Sequence, residues 1–220
     1  MIPAIEALAR LKAGNRRFVA NLDAGDHARP SPAAPHGTDI EDQRPFAIIL
    51  GCSDARVPAE LIFDQGLGDL FVIRVAGNIV APSLVGSVEF AASRFETKLV
   101  LVLGHTRCGA IAATIEDLQG SGEHDSRNLR DIVDRIRPAV EMVVAEDAHD
   151  DEEDLALRAM RANIAYSVDH LRHDSPLMEQ LIREDGVLVV GAEYSLETGV
   201  VTFFDELPDI LPEGRNEAAD

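Results

Sequence analysis

Short apolar runs alternate with amphipathic stretches along most of the chain. The runs over residues 46–51, 70–74 and 99–104 are rich in branched and aromatic side chains, which is typical of strands buried on both faces of a sheet. In the stretches around and between these runs, either the apolar residues recur at the spacing of an amphipathic helix or the stretch has the length of a helix. They predict helices over residues 5–20, 58–66, 84–95, 109–118, 129–145, 151–172 and 177–183.

Two further apolar runs, residues 186–191 and 200–204, flank Thr198 and Gly199 and predict a hairpin. Strands that alternate with helices predict an α/β fold. We expect a central sheet of four parallel strands plus an antiparallel edge strand, flanked by helices. We also expect a single domain over residues 1–220, with an N-terminal helical arm (about 1–44) and an acidic C-terminal tail (about 207–220).

The charge balance narrows the possible partners. There are 39 acidic residues against 20 basic ones, a formal net charge of −19, which repels nucleic acid and anionic membranes. A solvated acidic face with acidic tails explains this charge better than adaptation to salt. Since no apolar run approaches the ~20 residues of a membrane span and the N-terminus lacks the features of a signal peptide, we expect a cytoplasmic protein.

Three metal-ligand side chains follow two of the predicted strands. Cys52 comes directly after the first apolar run, and His105 and Cys108 come after the third. The carboxyl ends of parallel strands form the sites of open α/β sheets, so these side chains are expected to converge. Three nitrogen or sulfur ligands with an open fourth position are typical of catalytic zinc. Water or Asp54 would complete the coordination.

Asp54 and Arg56 lie two residues apart in the loop that follows Cys52, so an extended segment can pair their side chains. A carboxylate held by a guanidinium stays ionised and can accept a hydrogen bond from a nucleophile on the metal. Zinc lowers the pKa of bound water from about 15.7 to about 7. The loop therefore predicts a residue pair that orients the nucleophile.

Simpler explanations exist for some of these residues. Cys52 alone can be a packing residue, and a disulfide between Cys52 and Cys108 is conceivable but uncommon in the cytosol. A closed structural zinc site is disfavoured because paired Cys-x-x-Cys motifs are absent. Packing alone does not explain His105 three residues before Cys108, nor the charged Asp-x-Arg turn.

Other polar clusters are expected to lie on the surface. His170 and His173 are three residues apart without a third ligand nearby, and the acidic block 146–154 is typical of a solvated face. The histidines in predicted loops are candidates for a proton shuttle only because of that position. They are His27, His36 and His124.

The two ligand segments together resemble a known family. Gly-Cys-Ser-Asp-Ala-Arg-Val at 51–57 and Gly-His-Thr-Arg-Cys-Gly at 104–109 are similar to the two signature segments of the β-class carbonic anhydrases of bacterial and archaeal type. Residues 64–78 and 87–90 resemble the segment between them. The resemblance implies a lyase that hydrates carbon dioxide reversibly to bicarbonate and a proton by means of a zinc-bound hydroxide.

The resemblance also implies residue roles. One zinc ion per chain would bind Cys52, His105 and Cys108, with Asp54 and Arg56 as the catalytic dyad. The active unit would be a homo-oligomer, a dimer or a tetramer, whose site draws residues from both chains. The positions that match the substrate-binding residues of the family are Gln43, Phe71, Ala76, Phe90 and Gly109.

Some positions depart from the family. Phe90 replaces a tyrosine that some members carry. Members that bind a regulatory bicarbonate use a tryptophan, an arginine and a tyrosine. Arg74 and Tyr194 match the last two, whereas Ile49 replaces the tryptophan. In such members the residue that matches Asp54 becomes a fourth zinc ligand in a closed state. The sequence leaves open whether Asp54 undergoes such a pH-driven change in this protein.

The sequence leaves three alternative functions. The same zinc site can hydrolyse carbonyl sulfide or carbon disulfide, which pocket access would decide. A non-catalytic zinc-binding or bicarbonate-binding protein is disfavoured by the intact Asp54 and Arg56 pair. A redox dithiol formed by the two cysteines ranks last.

Overall fold

The computed structural model describes residues 2–24, 43–121, 126–146 and 152–204. The helices are α1 (Ala4–Asp23), α2 (Ala59–Ile62), α3 (Pro82–Arg94), α4 (Gly109–Leu118), α5 (Arg127–Ala145), α6 (Glu152–His173) and α7 (Pro176–Asp185). The strands are β1 (Ala47–Gly51), β2 (Leu70–Arg74), β3 (Leu99–His105), β4 (Leu188–Tyr194) and β5 (Val201–Phe204), and a 3-10 turn spans Ala76–Asn78.

The five strands form one sheet in the order β2-β1-β3-β4-β5. The first four are parallel, and β5 pairs antiparallel with β4 at the edge, so the predicted fold class is confirmed. Every residue of β1 and β3 is buried, because helices cover both faces of the sheet.

Alternate residues of the central strands belong to two different hydrophobic layers, one on each face of the sheet. Ile48 and Val100 belong to the layer that α3 to α7 cover, whereas Ile49 and Leu101 belong to the layer under α1 and α2. This follows from the two-residue period of a strand, which sends neighbouring side chains to opposite faces. The carboxyl ends of β1 and β3 therefore emerge side by side between two layers of helices.

Two element boundaries differ clearly from the sequence prediction. β4 runs on to Tyr194 instead of ending at residue 191, because the carboxylate of Glu193 is paired with Arg161 of α6 (2.5 and 2.9 Å) and is tolerated in the strand. The helix predicted over residues 58–66 is only one turn long. Asp64 adopts φ +46°, and a left-handed residue is incompatible with a continuing helix.

Several predicted features lie outside the described residues. They include residues 25–42 of the N-terminal arm, the acidic tail, the greater part of the acidic block and the three loop histidines. Among the helices that the structure describes, none has the length and apolar character needed to cross a membrane.

Candidate metal centre

Cys52, His105 and Cys108 come together at the carboxyl ends of β1 and β3. Their two sulfur atoms and one imidazole nitrogen lie within 4.8 Å of one another, and all three residues are buried. Within the described ranges this is the one group of three such side chains that can hold a metal ion. His170 and His173 pair instead with neighbouring carboxylates of α6 and the residue just after it.

The His105 ring has a fixed orientation and one unused nitrogen. Nδ1 lies 2.9 Å from the carbonyl oxygen of Thr106. Because a carbonyl only accepts, Nδ1 carries the proton and Nε2 presents a lone pair. Nε2 is buried and finds no hydrogen-bond partner among the described residues. A buried, orphaned imidazole nitrogen beside two thiols fits zinc, which accepts this nitrogen and sulfur set.

The two thiols are free, and they share a hydrogen bond. The Cys108 thiol and the backbone amide of Gly77 stabilise the Cys52 thiolate against its burial and lower the pKa of Cys52 to about 4. The hydrogen bond to that thiolate, together with burial, raises the pKa of Cys108. The metal-free pair therefore holds one proton, which zinc binding would release.

The loop after β1 is fixed by Arg74, the last residue of β2. Its guanidinium donates to the carbonyl oxygen of Cys52 (2.9 Å) and to that of Asp54 (2.5 Å). The Ser53 amide also donates to the carbonyl of Val75 (3.2 Å). These bonds hold the backbone that presents both the ligand and the carboxylate. In this arrangement the guanidinium of Arg74 is engaged with backbone oxygens.

Asp54 and Arg56 form the predicted ion pair. Arg56 donates from Nε to Oδ1 (2.9 Å) and from Nη2 to Oδ2 (2.6 Å), and its backbone amide also donates to Oδ1 (2.9 Å). These bonds hold the pKa of Asp54 well below its usual range. Oδ2 lies 4.0 Å from Nε2 of His105, so an ionised carboxylate borders the ligand cluster.

A second clamp holds the turn between His105 and Cys108. Glu197, in the β4–β5 hairpin, accepts from the Thr106 hydroxyl (2.9 Å) and pairs with Nε of Arg107 (2.7 Å). Arg107 has φ +56°, a conformation that a non-glycine residue adopts at a cost. The hairpin thus supports the strained turn that carries two of the three candidate ligands.

Comparison with known proteins agrees with this geometry. A family model described as carbonic anhydrase matches residues 47–201. The chain belongs to the β-class carbonic anhydrase family. It is 34% identical to carbonic anhydrase 2 of Mycobacterium tuberculosis over 94% of this chain and 95% of that protein. It is 37% identical to a carbonic anhydrase of Mycolicibacterium smegmatis over 94% and 96%.

A solved structure shares the fold. The described chain superimposes on one of two tetrameric β-carbonic anhydrases of Sordaria macrospora with a TM-score of 0.70 and 25% identity, over 85% of this chain and 93% of that one. The structural similarity therefore covers most of the chain, well beyond the ligand loops.

Two of the substrate positions expected for a β-class carbonic anhydrase lie at the ligand end of the sheet. Gly109 is the first residue of α4, directly after Cys108. Its amide has no acceptor within the helix, and a Cβ placed there would meet no atom within 4 Å. Ala76 opens the 3-10 turn that follows β2. Both positions are thus next to the ligands in sequence or in space.

The other three positions are not brought to the ligands within one chain. Phe71 is in register with Ile48 of β1, four residues before Cys52, which is about 13 Å along a strand. Phe90 packs on Phe71 with ring centroids 6.3 Å apart. Gln43 precedes β1 whereas Cys52 follows it, and a strand of five residues is about 17 Å long.

The sequence did not reveal all the residues that shape the site. Gly77 contacts the Cys52 sulfur, Asn163 holds the turn that contains Gly77, and Glu197 holds the turn between His105 and Cys108. Gly77 gave a signal, since an Ala-Gly-Asn sequence directly after a strand marks a tight turn. Asn163 and Glu197 gave none, because each acts on a segment far away in the chain.

Proposed function

We propose that the chain is a carbonic anhydrase that interconverts carbon dioxide with bicarbonate and a proton, with one zinc ion held by Cys52, His105 and Cys108. The observation that carries this proposal is the buried Nε2 of His105, which has no hydrogen-bond partner in the described part of the chain and lies beside two sulfur atoms. Zinc, when bound, supplies a Lewis acid that lowers the pKa of water to about 7 in favourable sites.

Asp54 and Arg56 are proposed to orient the nucleophile. The carboxylate, kept ionised by Arg56, can only accept hydrogen bonds. It would therefore accept one from the attacking water or hydroxide and leave a lone pair directed at the substrate carbon. Since both carboxylate oxygens are bonded to Arg56, the guanidinium also keeps Asp54 from becoming a ligand itself.

Gly109 and Ala76 are proposed to hold the substrate. Gly109 is the first residue of α4, so its amide lacks an acceptor within the helix, and there is open space where a Cβ would lie. The amide would donate to an oxygen of carbon dioxide or bicarbonate. The helix dipole adds to this attraction for an oxygen that gains negative charge. The Ala76 methyl group would form part of the apolar wall.

The remaining substrate positions support a homo-oligomer. Phe90 is 53% exposed on one chain although it belongs to an aromatic cluster with Phe71 and Phe95. An exposed aromatic cluster is typical of an interface. We propose that a second copy covers it, and that Gln43, Phe71 and Phe90 reach the metal centre of the partner, in a dimer or a tetramer.

We further propose that residues 1–220 form a single domain and that the enzyme is cytoplasmic. Both hydrophobic layers share one sheet, which supports one folding unit. The free cysteines support a reducing compartment.

Two variants test the proposed function together. Cys108→Ser removes a ligand, so zinc retention and carbon dioxide hydration should both be lost. Asp54→Asn keeps all three ligands, so zinc should be retained while hydration falls about 100-fold or more. Zinc is measured by elemental analysis and hydration by stopped flow on the same preparations. A zinc-free Cys108→Ser variant with full activity would end the proposal.

A further inference from the structure

The 3-10 turn Ala76–Asn78 is held by two buried polar side chains of α6. Nδ2 of Asn163 donates to the carbonyl oxygen of Gly77 (2.8 Å), and Oγ of Ser167 donates to the carbonyl oxygen of Asn78 (3.2 Å). Asn163 and Ser167 are each 1% exposed. They lie four residues apart, so they face the turn from the same side of the helix.

The same turn touches a candidate metal ligand. The Gly77 amide donates to Sγ of Cys52 at 3.4 Å. Gly77 has φ +70° and Asn78 has φ +43°, so the turn occupies a region that side chains disfavour. A Cβ at residue 77 would lie 2.7 Å from Cδ1 of Ile136. The turn therefore needs partners outside itself to keep its amide directed at the sulfur.

Close packing on β3, the strand that carries His105, fixes the distance between α6 and the sheet. Ile164, next to Asn163, packs directly over Gly104 of β3 and Gly191 of β4. A Cβ on those glycines would lie only 2.5 Å and 2.7 Å from Ile164 atoms. Because α6 packs this closely on β3, the position of the Asn163 side-chain amide relative to the ligand end of the sheet is fixed.

We propose that Asn163 is a positioning residue for the metal centre: by holding the carbonyl group of Gly77, it fixes the backbone of the residue whose N–H donates to the Cys52 sulfur. The proposal rests on the zinc site proposed above. A hydrogen bond to a thiolate withdraws electron density from it, so its loss changes how strongly Cys52 donates to the metal. Partners that orient ligands typically contribute 10–100-fold to metal affinity.

Asn163→Leu tests this role, since leucine has nearly the same shape and cannot donate a hydrogen bond. Ser167→Ala is the matched control, because it removes a bond from the same helix to the same turn without touching the Gly77 carbonyl. The cobalt-loaded proteins are compared by their sulfur-to-metal charge-transfer absorption, and zinc affinity is measured by chelator competition. Asn163→Leu should shift the absorption band and weaken zinc binding at least about tenfold, whereas Ser167→Ala should change neither. An unchanged band and affinity in folded Asn163→Leu overturns the proposal.

A measurement on the wild-type protein tests the same inference without a variant that has to fold. In protein loaded with cadmium-113, the Gly77 amide proton should show a scalar coupling to the metal through the Cys52 sulfur. Absence of that coupling in a protein that binds cadmium through both thiolates overturns the inference and leaves the zinc site intact. Absence of thiolate binding to cobalt and cadmium in the wild-type protein would overturn the zinc site and the inference together.

Discussion

Oδ2 of Asp54 lies 4.0 Å from Nε2 of His105, while both oxygens of Asp54 are bonded to Arg56. The carboxylate is thus adjacent to the ligand cluster without belonging to it. The planar guanidinium makes two side-chain hydrogen bonds to the carboxylate, and that arrangement restricts the rotation of the carboxylate. The three candidate ligands and the Asp54–Arg56 pair are therefore separate groups, because the salt bridge to Arg56 holds the carboxylate.

Arg56→Lys should impair hydration without loss of zinc. A lysine ammonium cannot form the two-pronged bond to Asp54, and a displaced catalytic group of this kind costs about 100-fold in rate. The measurement is kcat from stopped flow together with zinc content. Arg17→Lys is the control, since Arg17 pairs with Asp64 at the surface and its activity should be unchanged. A wild-type kcat in Arg56→Lys would contradict the role of the pair.

Two substitutions at Gly109 distinguish the role of its backbone N–H from the role of the open space where a side chain would lie. Gly109→Ala keeps the N–H and meets no atom, so kcat/KM should stay near that of the wild type. Gly109→Pro removes the N–H, yet proline is favoured at the first position of a helix, and Cys108 has the extended conformation that a following proline requires. Its kcat/KM should fall about tenfold, the contribution of one hydrogen bond to a charged group.

Zinc content is measured alongside the Gly109 variants. A Gly109→Pro protein that retains zinc and wild-type kcat/KM would contradict the proposed donor role of the Gly109 amide.

Removal of zinc should lower thermal stability, because the metal would bind the folded chain at ligands that the unfolded chain does not preorganise. Zinc at 100 times its dissociation constant adds about 2.7 kcal/mol, or roughly 5–10 °C in Tm for a chain of this size. Scanning calorimetry before and after chelation measures the shift. Cys52→Ser lacks a ligand, so added zinc should leave its Tm unchanged; an equal shift in both proteins would contradict the assignment.

Ile164→Ala should destabilise the fold strongly. Ile164 is fully buried and fills the space over Gly104 and Gly191, so its truncation leaves a cavity that costs about 2–5 kcal/mol. Leu67→Ala, at a position 49% exposed, should cost no more than about 0.5 kcal/mol. Urea unfolding measures both values. Equal losses in the two variants would show that α6 is not seated on β3 in the way described.

Much of the fold could be predicted because the central strands are continuous apolar runs. β1 and β3 are buried on both faces, so their boundaries and parallel pairing follow from hydrophobicity alone. The candidate ligands follow these strands directly, which made their convergence predictable as well. β4 was harder to predict, since Glu193 interrupts its apolar pattern and is accommodated only through Arg161.

The support around the site could not be predicted from local patterns. Asn163 in an apolar helix face looks like an ordinary core residue, and its partner Gly77 is 86 residues away. Glu197 is likewise 91 residues from Thr106. Contacts of this kind depend on the packed position of a helix or hairpin, which no periodicity encodes. Phe71 and Phe90 lie away from the ligands of their own chain, so the role proposed for them and for Gln43 depends on a second copy, whose position the sequence of one chain does not encode.

The most direct test is a stopped-flow carbon dioxide hydration assay across pH, with elemental analysis of the same sample before zinc removal, after removal and after restoration. The account predicts one zinc ion per chain and a hydration rate that is lost and regained in proportion to zinc content. Full zinc occupancy without hydration above the uncatalysed rate, or full hydration activity without zinc, would contradict it.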